Sequence, residues 1–171
     1  MSNSAIQQAS FGGVFNVECR DAEGNLKWTE EFPNLVVNTG LQYLNTQVFK
    51  GVTYTAAWYM GLVNTGATYA GGNTMLSHSG WTENVGYSQA ARPTMVFGTA
   101  TTADPSVITS TATVFSINAT GVIAGAFLTT DSTKSGTAGT LFSAGNFTVG
   151  DRSVVTGDTL NVTYTFSADA A

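Results

Sequence analysis

The residues best suited to chemistry are concentrated in one segment of the chain, residues 58–93. This segment holds two of the three tryptophans, three of the six tyrosines and His78, the single histidine. A hydrolytic site needs a nucleophile, a base and an orienting acid within hydrogen-bond distance of one another. His78 lies between Ser77 and Ser79, but Ser-His-Ser-Gly lacks the Gly-x-Ser-x-Gly pattern of a hydrolase nucleophile turn. A lone histidine more often makes structural hydrogen bonds, so we expect no nucleophilic catalysis.

The carboxylates and the single cysteine do not indicate another kind of active site. Glu30 and Glu31 are neighbours in a predicted strand and point to opposite faces, so they cannot form the facing acid–base pair of a glycosidase. Glu83 could supply one carboxylate, but the sequence indicates no second one. Cys19 and a single histidine are too few ligands for a zinc site, and Cys19 is predicted to be a small core residue. We therefore predict a protein that is not an enzyme and that carries no metal and no cofactor.

The aromatic side chains of residues 58–93 suit a binding role. Exposed Trp and Tyr rings stack on sugars and anchor protein contacts. The alternative is that Trp58 and Trp81 anchor the core or hold a long loop, and for Trp58 the core is favoured because large aromatics dominate core burial. Arg92 could pair with a carboxylate of a neighbouring subunit or tie down its own loop, and the sequence leaves both open. The residues predicted to lie at an interface are Phe11, Tyr69, His78, Trp81, Glu83, Tyr87 and Arg92.

Alternating apolar residues predict the strands that must position this segment. Residues 15–32 predict a hairpin with a turn at 21–25, in which Glu30 is a charged residue on the apolar face. Residues 160–166 alternate most clearly, as in a strand with one buried and one wet face. A helix of about ten residues is predicted after an Asn38 or Thr39 cap, and one further helical turn near 74–78.

The number and spacing of these elements indicate the fold class. About eight short antiparallel strands and one short helix predict an all-β sandwich or jelly roll. We expect a single β-sandwich domain at residues 13–171, preceded by a flexible N-terminal arm at residues 1–12.

Composition excludes several partners. Charged residues are only 10% of the chain, and six Lys and Arg against eleven Asp and Glu give a net charge of −5. Six scattered basic residues form no positive stripe, so we expect no direct contact with nucleic acid. No apolar run reaches the roughly 20 residues of a membrane span, so we expect no membrane partner. The single cysteine allows no internal disulfide, which is consistent with assembly in a reducing cytoplasm.

A series of short motifs, each weak alone, is distinctive in combination. The series consists of NLVVNTG at 34–40, WYMGL at 58–62, SHSGWTE at 77–83, Tyr87-Ser88, Arg92-Pro93, GAFL at 125–128 and GDTL at 157–160. Together they resemble a family of small virion structural proteins of tailed bacteriophages, of the head decoration or cement type. The resemblance extends from about residue 13 to residue 166.

The resemblance implies a location and partners that the residues alone do not indicate. It implies a non-enzymatic protein on the outer surface of an icosahedral capsid, assembled in the bacterial host cytoplasm, which stabilises the head against internal DNA pressure. Its partners would be the major capsid protein and other copies of itself, in a homodimer or homotrimer. The alternative, based on the aromatic cluster and the Ser/Thr/Asn-rich composition, is a phage tail or fibre component that binds host surface glycans.

Overall fold

The structure is a computed structural model that describes residues 9–50 and 57–170. Strands account for 48% and helix for 8%, in two antiparallel sheets, so the predicted all-β sandwich is confirmed. The described residues form twelve strands rather than about eight, because several strands are only two to four residues long. The elements are β1 (Ala9–Arg20), β2 (Leu26–Pro33), β3 (Leu35–Val36), α1 (Asn38–Lys50), β4 (Trp58–Asn64), β5 (Glu83–Asn84), β6 (Thr94–Met95), β7 (Ser106–Thr109), β8 (Thr113–Ser116), β9 (Gly121–Thr129), β10 (Leu141–Asn146), β11 (Arg152–Val154) and β12 (Thr159–Ala170).

Two sheets make up the sandwich. The first sheet has the order β2-β1-β12-β7, and β8 pairs with another part of β12. The second sheet has the order β3-β10-β9-β4-β5, with β11 on β9 and β6 on β4. β1 and β12 pair along their full length, from Ala9 opposite Ala170 to Arg20 opposite Thr159. These two strands are therefore the long central strands of the first sheet.

The predicted hairpin is confirmed as β1 and β2. Its turn is held by Asp21, whose Oδ1 accepts the N–H groups of Glu23 and Asn25. Glu30, the charged residue on the apolar face, is buried and forms an ion pair with Arg152 of the second sheet. A buried carboxylate needs such a partner, because desolvation of an unpaired charge is costly.

Apolar side chains are buried on both faces of the second sheet. Between the sheets lies a core that includes Phe15, Phe32, Phe115, Leu160 and Tyr164. A second cluster lies on the opposite face of the second sheet, and its members are Val37, Val63, Ala67, Met75, Trp81, Ala124, Phe127, Leu141 and Ala144. Strand β9 is consequently buried at every position from 123 to 129, whereas β12 shows the predicted alternation at 159–164.

The predicted N-terminal arm of residues 1–12 is wrong for residues 9–12. Residues 9–12 lie in β1 and pair with residues 167–170 of β12, because backbone pairing does not require large side chains. Phe11 also stacks on Phe166, with ring centroids 6.3 Å apart. Residues 1–8 lie outside the described residues.

The predicted helix is confirmed and is longer than expected, at 13 residues. Leu44 packs against the core, whereas Leu41 and Val48 are exposed. This helix, the one found in the described residues, is too short to cross a membrane. The predicted helical turn near 74–78 is wrong, because Thr74 and Ser77 exchange backbone hydrogen bonds in a tight turn.

Candidate functional site

The segment 65–82, called here the covering loop, buries the outer face of the second sheet. Trp81 is its main anchor, with its ring 4.9 Å from that of Phe127 on β9. The His78 ring stacks on Trp81 at a centroid distance of 4.0 Å and an angle of 24°. Phe127 lies over Gly61, where a Cβ would come within 2.2 Å of the ring. The glycine therefore provides the space that the Phe127–Trp81 stack requires.

Three predicted interface residues of the covering loop make internal contacts. Trp81 is 4% exposed, so its ring is not available to a sugar or a partner. The His78 Nδ1 lies 3.0 Å from the Trp81 carbonyl oxygen, which fixes the ring orientation. The Tyr69 hydroxyl donates to Asn146 Oδ1 at 2.8 Å, and burial raises the pKa of this phenol. These residues hold the loop on the sheet, and the expectation of an exposed aromatic interface is wrong for Trp81.

A buried ion pair between Glu83 of β5 and Arg92 is anchored to the loop that follows β9. Arg92 Nε donates to Glu83 Oε1 at 3.0 Å and Arg92 Nη2 to Oε2 at 2.9 Å, so the contact is bidentate. The two side chains are 1% and 6% exposed. Arg92 also donates to the carbonyl oxygens of Asp131, at 3.0 Å, and Gly136, at 2.9 Å. Arg92 therefore ties down its own loop, which was one of the two alternatives open from the sequence.

Further contacts complete this cluster around Glu83. The Ser135 N–H donates to Glu83 Oε2 at 2.6 Å, and Ser135 has a φ of 56°, which is unusual for a residue with a side chain. Tyr87, predicted at the interface, is 1% exposed, and burial is the main cause that raises the pKa of its phenol. Lys134 lies over the Tyr87 ring at 3.8 Å, and desolvation lowers the pKa of this ammonium.

A cavity of about 270 Å³ lies beside the cluster, lined in part by His78, Glu83, Arg92 and Ser135. The charged groups at its wall are already paired within the chain. A larger open depression of about 850 Å³ lies on the first sheet, lined by polar residues that include Glu18 and Glu31.

Cys19 and Asp158 could also take part in chemistry, but both are buried in contacts that stabilise the fold. Cys19 is fully buried, and burial together with the nearby Asp158 carboxylate raises the pKa of its thiol to about 12. Asp158 is itself buried, pairs with Lys27 and accepts the N–H of Val155. Within residues 9–50 and 57–170, no group of three His, Cys, Asp or Glu side chains is arranged to hold a metal ion.

The exposed apolar side chains differ from those predicted. Among the seven predicted interface residues, Phe11 is clearly exposed, at 45% of its surface. Within residues 9–50 and 57–170, the most exposed large apolar residues are Val48, Phe49, Leu76 and Val149, at 71–82%. Sequence reasoning missed them because a single apolar residue in a loop or at a helix end has the same local pattern whether it is buried or exposed.

Comparison with known proteins finds no matching protein family, no similar curated protein and no similar solved structure.

Proposed function

We propose that this protein is a non-enzymatic decoration or cement protein of a tailed bacteriophage. In this proposal it binds the outer capsid surface through the major capsid protein, associates with other copies of itself and stabilises the head. The virion assignment is supported by the motif series described above.

One observation supports a structural role most directly. The residues that could do chemistry are held by contacts inside the domain. Glu83 accepts hydrogen bonds on both carboxylate oxygens, and Arg92 donates to Glu83 and to two backbone carbonyls. His78 is stacked on Trp81 and held by its carbonyl oxygen. These contacts cross-tie two loops on one sheet, which suits a rigid binding body rather than a site where protons must move.

The composition of the chain supports a surface that lies against other proteins. With 10% charged residues, little charge has to be desolvated when a partner covers the domain. Interface cores are depleted in charged residues and enriched in aromatic ones. Exposed apolar residues such as Phe49, Leu76 and Val149 are suitable contacts for a neighbouring subunit.

The tail or fibre alternative is less well supported. Glycan binding by stacking needs an accessible ring face. Trp81 and Tyr87 are at most 4% exposed, and the Tyr69 hydroxyl is engaged by Asn146. The aromatic cluster that motivated this alternative is thus largely used inside the domain.

Localisation on the parent particle tests the proposal. Purified protein is added to heads that lack it, binding is measured by co-sedimentation, and its position is determined by cryo-electron microscopy. We expect saturable binding to the outer head surface and greater resistance of the head to heat. Density on the tail, or no binding to heads, would contradict the proposal.

Two deletions test the predicted arm in the same assay. Deleting residues 1–8 leaves β1 intact, so the domain should stay folded while head binding weakens. Deleting residues 1–12 also removes four residues that pair with β12, so its effect on folding must be measured separately. Unchanged head occupancy after the shorter deletion would refute a role for the arm.

A further inference from the structure

One backbone edge of the first sheet is open. β2 covers β1 only as far as Val14, which lies opposite Pro33. Beyond that point the Asn34 N–H donates to the Gly13 carbonyl oxygen at 2.9 Å. Residues 9–12 pair with β12 on one side and have no backbone partner among the described residues on the other.

The direction of the free backbone groups follows from the Asn34 contact. In an antiparallel strand the N–H and C=O of one residue point to the same side, and neighbouring residues alternate. Because the Gly13 carbonyl points away from β12, the N–H and C=O groups of Phe11 and Ala9 point away from it too. This edge therefore offers two donors and two acceptors to an added strand.

The other long edges of the first sheet are covered by the chain itself. Gly98 and Thr101 donate their N–H groups to carbonyls along β7, and Ser88 and the Gln89 side chain donate to carbonyls along β8. On β2, the Glu31 carbonyl accepts the Thr148 hydroxyl. Lys27 and Glu31 also add charge to that edge. Proteins commonly protect their edges by such charges and coverings.

The edge at residues 9–12 has no such protection in the described part of the chain. Residues 9–13 read Ala-Ser-Phe-Gly-Gly, with no charge and no proline. At Gly12 even an added Cβ would meet no atom within 4 Å. Phe11 is 45% exposed on the same segment. An uncharged segment of this kind does not repel a second copy of itself, although the whole chain carries a net charge of −5.

We propose that two copies of this chain pair antiparallel through this β1 edge, across a twofold axis at Ser10. The Asn34 contact excludes a copy centred on Phe11, because that copy would place its Ala9 at the position that Asn34 occupies opposite Gly13. Centred on Ser10, each Ala9 lies opposite the partner's Phe11, and four backbone hydrogen bonds form. The two Phe11 rings become diagonal neighbours on one face, within reach of each other.

The interface is small, so the pairing in solution is weak. Interfaces that bury less than about 1,200 Å² are typical of transient complexes. On a particle, attachment of both copies to one surface raises their effective concentration and strengthens such a contact. The pairing deepens the self-association of the proposed function, but it is defined without a capsid and can be tested in its absence.

Cysteine cross-linking tests the register. In the proposed pair the two Ser10 Cα atoms are about 4.5 Å apart, which is a distance that a disulfide can span. Ser10→Cys should give a disulfide-linked dimer under mild oxidation, and native Cys19 does not interfere because it is fully buried. Two Gly12 residues would be about four strand positions, or about 13 Å, apart, so Gly12→Cys should not cross-link. Ala138→Cys, exposed in the loop that follows β9 of the second sheet, is the control for random collision.

A charge variant tests the same edge without a covalent link. Ser10→Lys places two ammonium groups opposite each other and should raise the dimer dissociation constant by about fivefold in sedimentation equilibrium at low salt. Its unfolding midpoint should stay near that of the native chain, because Ser10 is exposed. Equal cross-linking of Ser10→Cys and Ala138→Cys, or dominant cross-linking of Gly12→Cys, would overturn the proposed pairing. Head binding separates the two proposals, since a Ser10→Cys protein that gives no specific cross-link but still binds heads contradicts only the pairing.

Discussion

Replacing Arg92 by alanine should lower the free energy of unfolding by about 3–5 kcal/mol, the usual cost of removing one partner of a buried ion pair. The Glu83 carboxylate, 6% exposed, would lose both guanidinium contacts and keep only weaker donors around it. The carbonyls of Asp131 and Gly136 would each lose a charged donor. Single domains are stable by about 5–15 kcal/mol, so this one change removes a large fraction of the total.

Urea unfolding followed by tryptophan fluorescence measures this effect. The matched control is Arg20→Ala, because the Arg20–Glu18 pair is exposed, at 40% and 37% of the side chains. Exposed pairs contribute about 0–1 kcal/mol, so this variant should unfold close to the native midpoint. If Arg92→Ala and Arg20→Ala unfold at the same urea concentration, the assignment of Arg92 as the internal tie between the two loops is wrong.

A double-mutant cycle tests the coupling directly. Arg92→Met and Glu83→Met should each be destabilising, and the double variant should cost less than the sum, because neither buried charge is then left alone. Arg92→Lys should be intermediate, since lysine keeps the charge but lacks the planar fork that contacts both Glu83 oxygens. Additive costs would mean that the pair is not coupled, whatever the size of each single effect.

Three further outcomes are expected. Gly61→Ala should destabilise by about 1–3 kcal/mol, because its Cβ would meet the Phe127 ring, whereas Gly12→Ala should be nearly neutral in the same denaturation assay. The Cys19 thiol should react with a thiol reagent only after unfolding, so rapid labelling of the native protein would contradict its burial. Its pKa is raised from 9.0 to about 12, so the stability that the neutral thiol contributes is complete below pH 9 and is lost as pH rises towards 12. The stability difference between the native chain and Cys19→Ala should therefore shrink over that range, and a constant difference would contradict the raised pKa.

The sandwich could be predicted because alternation is a local property of a strand. β1, β2 and β12 have one buried face each, and their patterns at 15–32 and 160–166 give the strands directly. β9 has a continuous buried run from 123 to 129, which shows burial on both faces but not what covers the second face. The covering loop, 40 or more residues earlier in the chain, provides that cover.

The cluster around Glu83 could not be predicted from the sequence. Glu83 and Arg92 are nine residues apart, in neither a helical nor a strand spacing. Their pairing depends on the path of residues 84–91 between them and on the loop after β9, which supplies the carbonyls of Asp131 and Gly136. The sequence did indicate that Arg92 has a partner, but a buried internal pair and an intersubunit pair require the same residue types.

Burial of the second sheet on both faces limits where this domain can meet another protein. A partner cannot reach the outer face of β9 directly, because the covering loop lies over it and is anchored there by Trp81 on Phe127. Besides α1, whose Phe49 is exposed, a partner can contact the surface of that loop, the polar face of the first sheet or the open edge of β1. The first two surfaces are made of side chains and can adapt to many partners, whereas the β1 edge presents backbone groups in a fixed order. Pairing at that edge therefore specifies one orientation, and Ser10, at its proposed centre, is where a single substitution can test it.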